Sequence, residues 1–499
     1  MSFFLKWRWE LISPFAGLLL TLAFAPFNYS YLAIASLVFV FLSWLSCTAA
    51  RAALRAYLYG LGLFGSGVSW VYISIHDYGG APVIGAVLLT LLMVFFWSLF
   101  PALTAYLTVK LAGNKHKTRV LLLAPFVWVF VEYYRGYWFL NGFPWLQIAY
   151  SQLETPMQGY VPLIGVYGTG FLLAVTAAVV AAGIMKRLKY SRAFIVVLLL
   201  WGIGGALNTV KWTDVIGKPI QVALIQGNVA QDQKWLPANR IKTLLSYQQL
   251  TEQSWDADIV IWPETAIPAY LSQVQEFYLK PLSAKAKAQN TDVIVSLPAK
   301  GKAKEYFNTV LSLGKNEGRY DKNHLLPFGE YLPLQPLSGF VLDSLNIHLG
   351  SFTSGGDEQA LLKAGGYRFA TSICYEDAFA VEAIRAMPEA AFLVNVTNDA
   401  WFGDSIEPHQ HMQIAQMRAL ETGRYLLRVT NTGVTGIVGP DGHIVDKVPQ
   451  FKQAVLKGHI NPMGGMTPYA RVGDDSIVIV LFCFFVLLSF LTNRVAYEQ

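Results

Sequence analysis

Between about residue 10 and residue 210 the chain is a succession of apolar runs with short polar breaks. After residue 213 it changes to short aliphatic runs alternating with stretches of helical spacing. A hydrocarbon core about 30 Å thick needs roughly 20 apolar residues per helix, because backbone groups in lipid must satisfy one another. Runs at about 11–27, 31–48, 56–75, 82–110, 120–138, 160–184 and 193–210 meet that condition, and an eighth lies at 476–492. A polytopic α-helical membrane bundle of about 8 helices is therefore expected. The first run could also be read as a signal peptide, since Lys6 and Arg8 precede it and it ends in Ala23-Phe24-Ala25. Pro26 directly behind that pattern, and a second apolar run a few residues on, favour an uncleaved anchor. The glycines between Gly60 and Gly67 lie inside a run, where close helix packing explains them better than phosphate binding. Glu132 and Arg135, three apart near a helix end, are expected to pair or to reach the interface.

From 213 onward, β-branched and aliphatic runs predict strands at Ile220 to Gln226, Asp258 to Trp262, Asp292 to Leu297, Phe307 to Leu313, Phe369 to Cys374, Ala391 to Asn395 and Leu426 to Asn431. Helical spacing appears at about 237–254, 272–289, 379–387 and 408–422. Strands sandwiched between helices make this a layered α/β or α+β domain, long enough for a full core. Pro219 and Gly464-Gly465 suit the short loops that enter and leave it. The expected domains are thus a membrane part at 1–212 with seven helices, a soluble domain at 213–470, and a last helix with its tail at 471–499.

Composition agrees: 54% of the residues are hydrophobic and 14% charged, against roughly 25% charged in an average soluble domain. Lys6 and Arg8, Arg51 and Arg55, Lys110 to Arg119, Lys186 to Arg192, and Arg494 fall at every second membrane boundary. By the positive-inside bias these are cytoplasmic, so seven crossings deliver residue 213 to the far side and both termini are expected in the cytoplasm. Residues 213–470 carry 22 Lys and Arg against 25 Asp and Glu, so the net charge of +6 belongs to the membrane part and its loops. That excess is a topology signal and removes the motive for a nucleic-acid partner.

Of the three cysteines, Cys47 and Cys483 fall in predicted membrane helices, and Cys374 alone lies in the soluble domain. A single cysteine there is either a packing residue or a reactive thiol. Three strand ends carry reactive side chains. Pro263 breaks Ile259-Val260-Ile261-Trp262 and sets Glu264 at the mouth of the sheet, where a carboxylate walled by Trp262 could act as a base. Lys322 and Glu330 sit eight apart around Pro327-Phe328-Gly329, and a fixed ammonium can stabilise a thiolate and an oxyanion. Cys374 closes a strand and is followed by Tyr375, Glu376 and Asp377, a setting for a nucleophile. Singly, each has an ordinary structural explanation; together they supply the nucleophile, base and oxyanion donor of acyl transfer. His409 and His411 lack further ligands at metal spacing, so no metal is expected.

At these residues the chain resembles the nitrilase superfamily, and within it the membrane-bound apolipoprotein N-acyltransferase family. The resemblance is carried by Trp262-Pro263-Glu264-Thr265, Lys322-Asn323-His324-Leu325 with Pro327 to Glu330, Cys374-Tyr375-Glu376, Gln226-Gly227-Asn228 and Asn398 to Gly403. It implies an αββα sandwich with a Glu264–Lys322–Cys374 triad and no cofactor. It also implies that Cys374 takes an acyl chain from a phospholipid as a thioester and passes it to the amine of a diacylglyceryl-cysteine on an apolipoprotein. Glu264 would be the base, with Lys322 and the Tyr375 backbone N–H holding the oxyanion. Glu330 would orient the lysine or assist the base, while Trp235 and Glu376 would handle substrate. The setting implied is the inner membrane of a two-membrane bacterium, with the catalytic domain in the periplasm.

A lipid-mounted site can exclude water from a thioester, which gives the bundle a reason to exist. Apolar residues of the 331–352 loop are expected to face the membrane as a lid. The alternative is a membrane-tethered amidase using the same triad with water. A transporter with a binding lobe is a third reading, and it calls for more ionisable residues deep in the helices than the sequence offers.

Overall fold

The structure is a computed structural model that describes residues 2–497, except 114–116, 303–304, 335, 337–338 and 340–350. Lys115 and most of the expected 331–352 lid lie outside the described residues. The chain divides into two compact units: residues 1–72, 83–210 and 472–499 form one, and residues 73–82 with 211–471 form the other.

The first unit is helical. Four helices among the described residues are long and apolar enough to cross a membrane: Val83–Ala112, Pro156–Ile184, Tyr190–Leu207 and Pro468–Phe490. A fifth qualifies if Ala49–Gly67 and its bent continuation Val71–Tyr78 are one span. The count therefore stands at four to five on length and composition, below the eight expected. The others fall short for visible reasons: Ser2–Thr21 opens with Lys6, Arg8 and Glu10, Tyr31–Ser43 has 13 residues, and Lys117–Tyr133 has 17.

Glycines in the Gly60–Gly67 stretch let backbones meet. A Cβ on Gly62 would stand 1.8 Å from the Pro14 carbonyl oxygen, one on Gly17 would stand 2.0 Å from that of Tyr59, and one on Gly60 would stand 2.8 Å from Ser98 Cα. Buried ionisable groups are held by partners, as the cost of charge in lipid demands. Glu10 takes the Nε of Arg51 at 2.6 Å and of Arg55 at 3.0 Å. Glu132 and Arg135 are 4.0 Å apart, but each leans more on backbone: Glu132 accepts the Ile148 N–H, and Arg135 donates to the carbonyls of Phe143 and Trp145.

The second unit is a sandwich of two six-stranded sheets. One has the order β13-β2-β3-β4-β5-β6, with β2 at Ile220–Gln226, β3 at Ile259–Ile261, β4 at Asp292–Lys300, β5 at Tyr306–Leu313, β6 at Gly318–Asp321 and β13 at Ala454–Ile460. The other has the order β12-β11-β10-β9-β8-β7, with β7 at Leu362–Ala364, β8 at Tyr367–Ile373, β9 at Phe392–Thr397, β10 at Leu426–Thr430, β11 at Gly436–Val438 and β12 at Ile444–Lys447. A small pair, β1 (Asp214–Val215) with β14 (Met463–Gly464), closes the chain ends together. Each sheet has three parallel strands, β2 to β4 and β8 to β10, flanked by antiparallel ones.

Alternation along the strands builds three cores. Val222, Leu224, Ile259 and Ile261 face Phe369, Phe392, Val394 and Val396 between the sheets. Val260 and Val293 pack outward on Leu244, Tyr247 and Leu282 of the flanking helices, and Leu393 and Leu426 pack on Met412 and Ala415. The result is four layers, helix–sheet–sheet–helix. Ile73–Pro82, expected within or just after a membrane helix, belongs to this unit instead; its Tyr78 ring meets Trp401 edge-on at 5.9 Å.

Candidate active site

Parallel strands of one sheet end on the same side, so the turns after them collect side chains at one rim. Glu264 follows β3 and Cys374 follows β8. Lys322 leaves the antiparallel β6, and its backbone N–H donates to the Asn308 carbonyl on β5 at 2.8 Å.

The Glu264 carboxylate is buried and accepts Asn308 Nδ2 at 2.7 Å. Burial pushes its carboxyl above the usual range. Lys322, Asn308 and Lys234 pull the other way, while the Glu330 charge adds to the rise. The expected aromatic wall is corrected by the strand's alternation: Trp262 points to the helix-side core, donating to Thr251 Oγ1 at 3.0 Å and stacking on Tyr247.

Lys322 is 1% exposed, with its Nζ 2.7 Å from Glu330 Oε2. Burial works against its charge, yet the carboxylates of Glu330, Glu264 and Glu376 together with the Cys374 sulfur hold the ammonium charged beyond its ordinary range. Glu330 is fixed in turn by the Leu326 N–H at 2.8 Å, inside a turn that Phe328 enters at φ +62°.

Cys374 is half-buried and adopts φ +53°, a left-handed backbone that non-glycine residues visit rarely and that often marks a functional turn. Burial and the Glu264 charge push its thiol up to about 12, against the pull of Lys322, His411 and the neighbouring Thr397 hydroxyl. In the resting site the proton therefore sits on sulfur. Tyr375 is buried, its ring edge-on to Phe379 at 5.2 Å.

Glu376 is fully buried, and its carboxylate accepts the backbone N–H groups of Ile373 at 2.7 Å, Asn323 at 2.6 Å and His324 at 2.9 Å, with the Tyr320 hydroxyl at 3.0 Å. It ties the turn of the thiol to the turn of the lysine, a bracing geometry that leaves little of it to meet a substrate. Trp235 is half-exposed at the end of a short helix.

Two residues that the sequence reading missed belong to this cluster. Asn308 lies between the carboxylates of Glu264 and Glu330, its Nδ2 reaching the second at 3.5 Å. Lys234 is 3% exposed and donates to the Glu264 carbonyl at 3.3 Å; burial lowers its ammonium to about 8, partly offset by Glu264. No motif spacing marks either residue, though Lys234 stands beside Trp235 in the chain. Because the Lys234 charge favours the Glu264 carboxylate, Lys234→Met is expected to move the acid limb of the pH–activity profile to higher pH. An unmoved limb would detach Lys234 from the base.

His409 and His411 do not converge on one ion. His409 Nε2 lies 2.9 Å from Gln450 Nε2, whereas His411 turns into the core between carboxylates. Asp399, Glu407 and His411 bring ligand-type atoms within 4.8 Å of one another, but the positive charge balancing them is the Arg428 guanidinium.

Comparison with known proteins covers both units. Residues 16–179 match the family described as the apolipoprotein N-acyltransferase N-terminal domain, and residues 221–468 match the carbon-nitrogen hydrolase family. The apolipoprotein N-acyltransferase of Methylococcus capsulatus is 48% identical over 93% of this chain and 92% of its own. The enzyme of that name from Photobacterium profundum is 40% identical over 95% of this chain and 93% of its own, and that from Nitrosomonas europaea is 39% identical over 95% of each. With both family models matched in sequence along the chain and relatives similar over nearly their whole lengths, this chain belongs to the apolipoprotein N-acyltransferase family.

Proposed function

We propose that this chain transfers a fatty acyl chain from a phospholipid to the N-terminal amine of the diacylglyceryl-cysteine of apolipoproteins, with Cys374 as the carrier. The observation behind this reading is the meeting of a buried carboxylate, a buried ammonium and a thiol that feel one another's charge at one rim of the sandwich. Glu264 takes the thiol proton as Sγ attacks an ester carbonyl of the phospholipid. The oxyanion is held by Lys322 Nζ and the Tyr375 backbone N–H. Glu264 returns the proton to the departing glycerol oxygen, leaving a lysophospholipid and a thioester. The lipoprotein amine then attacks the thioester, gives a proton to Glu264, and expels the Cys374 sulfur as the amide forms.

Glu330 supports this chemistry by fixing Lys322, and Glu376 by holding the two reactive turns together. Trp235, half-exposed beside Lys234, is suited to contact a lipid substrate. The membrane-tethered amidase is not favoured, since relatives at 39–48% identity carry the acyltransferase name. We also propose seven membrane crossings before the sandwich and one after it, with basic loops inside and the catalytic unit in the periplasm.

The test is intact-mass measurement of the detergent-purified protein after incubation with phospholipid. A fatty-acyl increment, removed by hydroxylamine and discharged quickly by a diacylated lipopeptide but slowly by water, is expected. An unmodified mass would overturn the thioester route. The pH dependence has a fixed sign: the base must be ionised, and Glu264 is held above the ordinary carboxylate range, so acylation should fall with acid at a higher pH than an exposed glutamate would give.

A further inference from the structure

Beneath Cys374, on the helix side of the second sheet, lies a closed ring of charge that the proposed mechanism does not use. His411 Nε2 meets Asp377 Oδ1 at 2.8 Å and His411 Nδ1 meets Asp399 Oδ1 at 3.1 Å. Arg428 completes the circuit, with Nη1 on Asp377 Oδ2 at 3.0 Å and Nη2 on Asp399 Oδ2 at 3.1 Å. None of the four is more than 3% exposed. Each comes from a different element: Asp377 from the turn of the thiol, Asp399 from the turn after β9, His411 from the helix Glu407–Thr422, and Arg428 from β10. Glu407 Oε1 adds a third carboxylate, 3.3 Å from His411 Nδ1.

Two threads run from this ring to the nucleophile. Arg428 Nη1 donates to Asn395 Oδ1 at 2.6 Å, and Asn395 Nδ2 donates to the Cys374 carbonyl at 3.3 Å. That amide steadies a residue held at positive φ. The Thr397 hydroxyl, at the end of β9 and beside the Cys374 sulfur, donates its one proton to Asp399 Oδ1 at 3.1 Å, so the ring reaches the neighbourhood of the thiol. The charged groups around that sulfur are Glu264 and Lys322 from the first sheet, and His411 and Arg428 from the second. Burial and Arg428 act against protonation of His411, and the Asp377 and Asp399 carboxylates outweigh them, so the imidazole stays charged.

We propose that His411 and Arg428 are positioning residues for acyl transfer: the ring they close with Asp377 and Asp399 fixes the turn of Cys374 through Asn395 and holds two buried cations where their charge favours its thiolate. This rests on Cys374 being the nucleophile. Two buried cations tied to two buried carboxylates would be a costly way merely to fill a core, since such a network is often no more stable than apolar packing. Its value lies in presenting fixed positive charge to a sulfur that must ionise in a buried place.

The experiment uses the full chain in detergent and follows alkylation of Cys374 by iodoacetamide at fixed pH, read on the Cys374 peptide by mass spectrometry so that Cys47 and Cys483 do not interfere. Alkylation reports thiolate, so His411→Gln should slow it about tenfold, the equivalent of one pH unit in the thiol. The rate constant of acyl transfer should fall in step, with the KM for lipopeptide unchanged. Arg428→Lys keeps the charge but not the paired guanidinium contacts, and should slow alkylation less than His411→Gln does. A ring that only stabilised the fold would, once loosened, leave alkylation unchanged or speed it by opening the site; either result in a variant that melts like wild type overturns the proposal. Should His411→Gln not fold, Arg428→Lys decides alone: it loosens the ring with the charge kept, and a thiol alkylated as fast as in wild type overturns the proposal. The nucleophile assignment fails separately, if wild-type protein alkylated at Cys374 still transfers acyl chains.

Discussion

Cys374→Ala should accept no acyl chain and should lose acyl transfer by a factor on the order of 10⁶, the scale on which deletion of a catalytic nucleophile acts. The loss should be this deep because the proposed route passes through a covalent intermediate and alanine offers no atom to bear it. The change removes one sulfur and asks nothing new of the backbone at φ +53°, since cysteine already carries a Cβ there. The fold should persist, held by the Glu376 brace and the contacts of the two sheets. Checking this needs a melting curve and an acyl-transfer assay on the same sample: an intact melt with activity gone is the expected pair. Residual turnover near wild type would move the nucleophile elsewhere.

Lys322→Met should be the second most damaging change, and for two separable reasons. The developing oxyanion loses a preorganised cation, worth about 10² to 10³ in rate. The fold loses the partner of a buried carboxylate: removing one side of such a pair costs roughly 3–5 kcal/mol because the other side is left uncompensated. Glu264, already raised by burial, rises further without the ammonium that opposes it. A carboxyl whose folded pKa exceeds its unfolded value contributes stability while protonated, and loses it as pH rises through the folded pKa. The variant should therefore melt closer to wild type under mild acid than at neutral pH. A gap in melting temperature that does not narrow with acid would show that the lysine is not compensating these carboxylates.

Much of this was legible in the sequence, for reasons tied to particular residues. The strand Ile220–Gln226 announces itself because five of its seven residues are apolar, and Cys374 stands out as the one cysteine between residues 213 and 470. The outer strands Leu362–Ala364, Gly436–Val438 and Ile444–Lys447 escaped notice, since three or four residues give no period to detect. Ala454–Ile460 is long enough, but as an edge strand it exposes Lys457 and carries His459, and so reads as polar. Trp262 and Glu264 are neighbours in sequence but not at the rim: Trp262 shares the helix-side face with Val260, as alternation requires, and the strand ends before Glu264. Asn308 and the ring of Asp377, Asp399, His411 and Arg428 draw on residues scattered along the chain, and only pairing of the strands brings them together.

The contact between helices Ser2–Thr21 and Ala49–Gly67 bears on how the protein tolerates mutation. At Gly17 and Gly62 a single methyl group would collide with a main-chain oxygen, and a main chain cannot swing aside as a side chain can. A genetic screen for inactive alleles should thus return two unrelated classes. One cluster would strike the chemistry of the sandwich. The other would fall on glycines far from it in sequence, where replacement by even alanine deprives the cell of assembled protein while every reactive group remains intact.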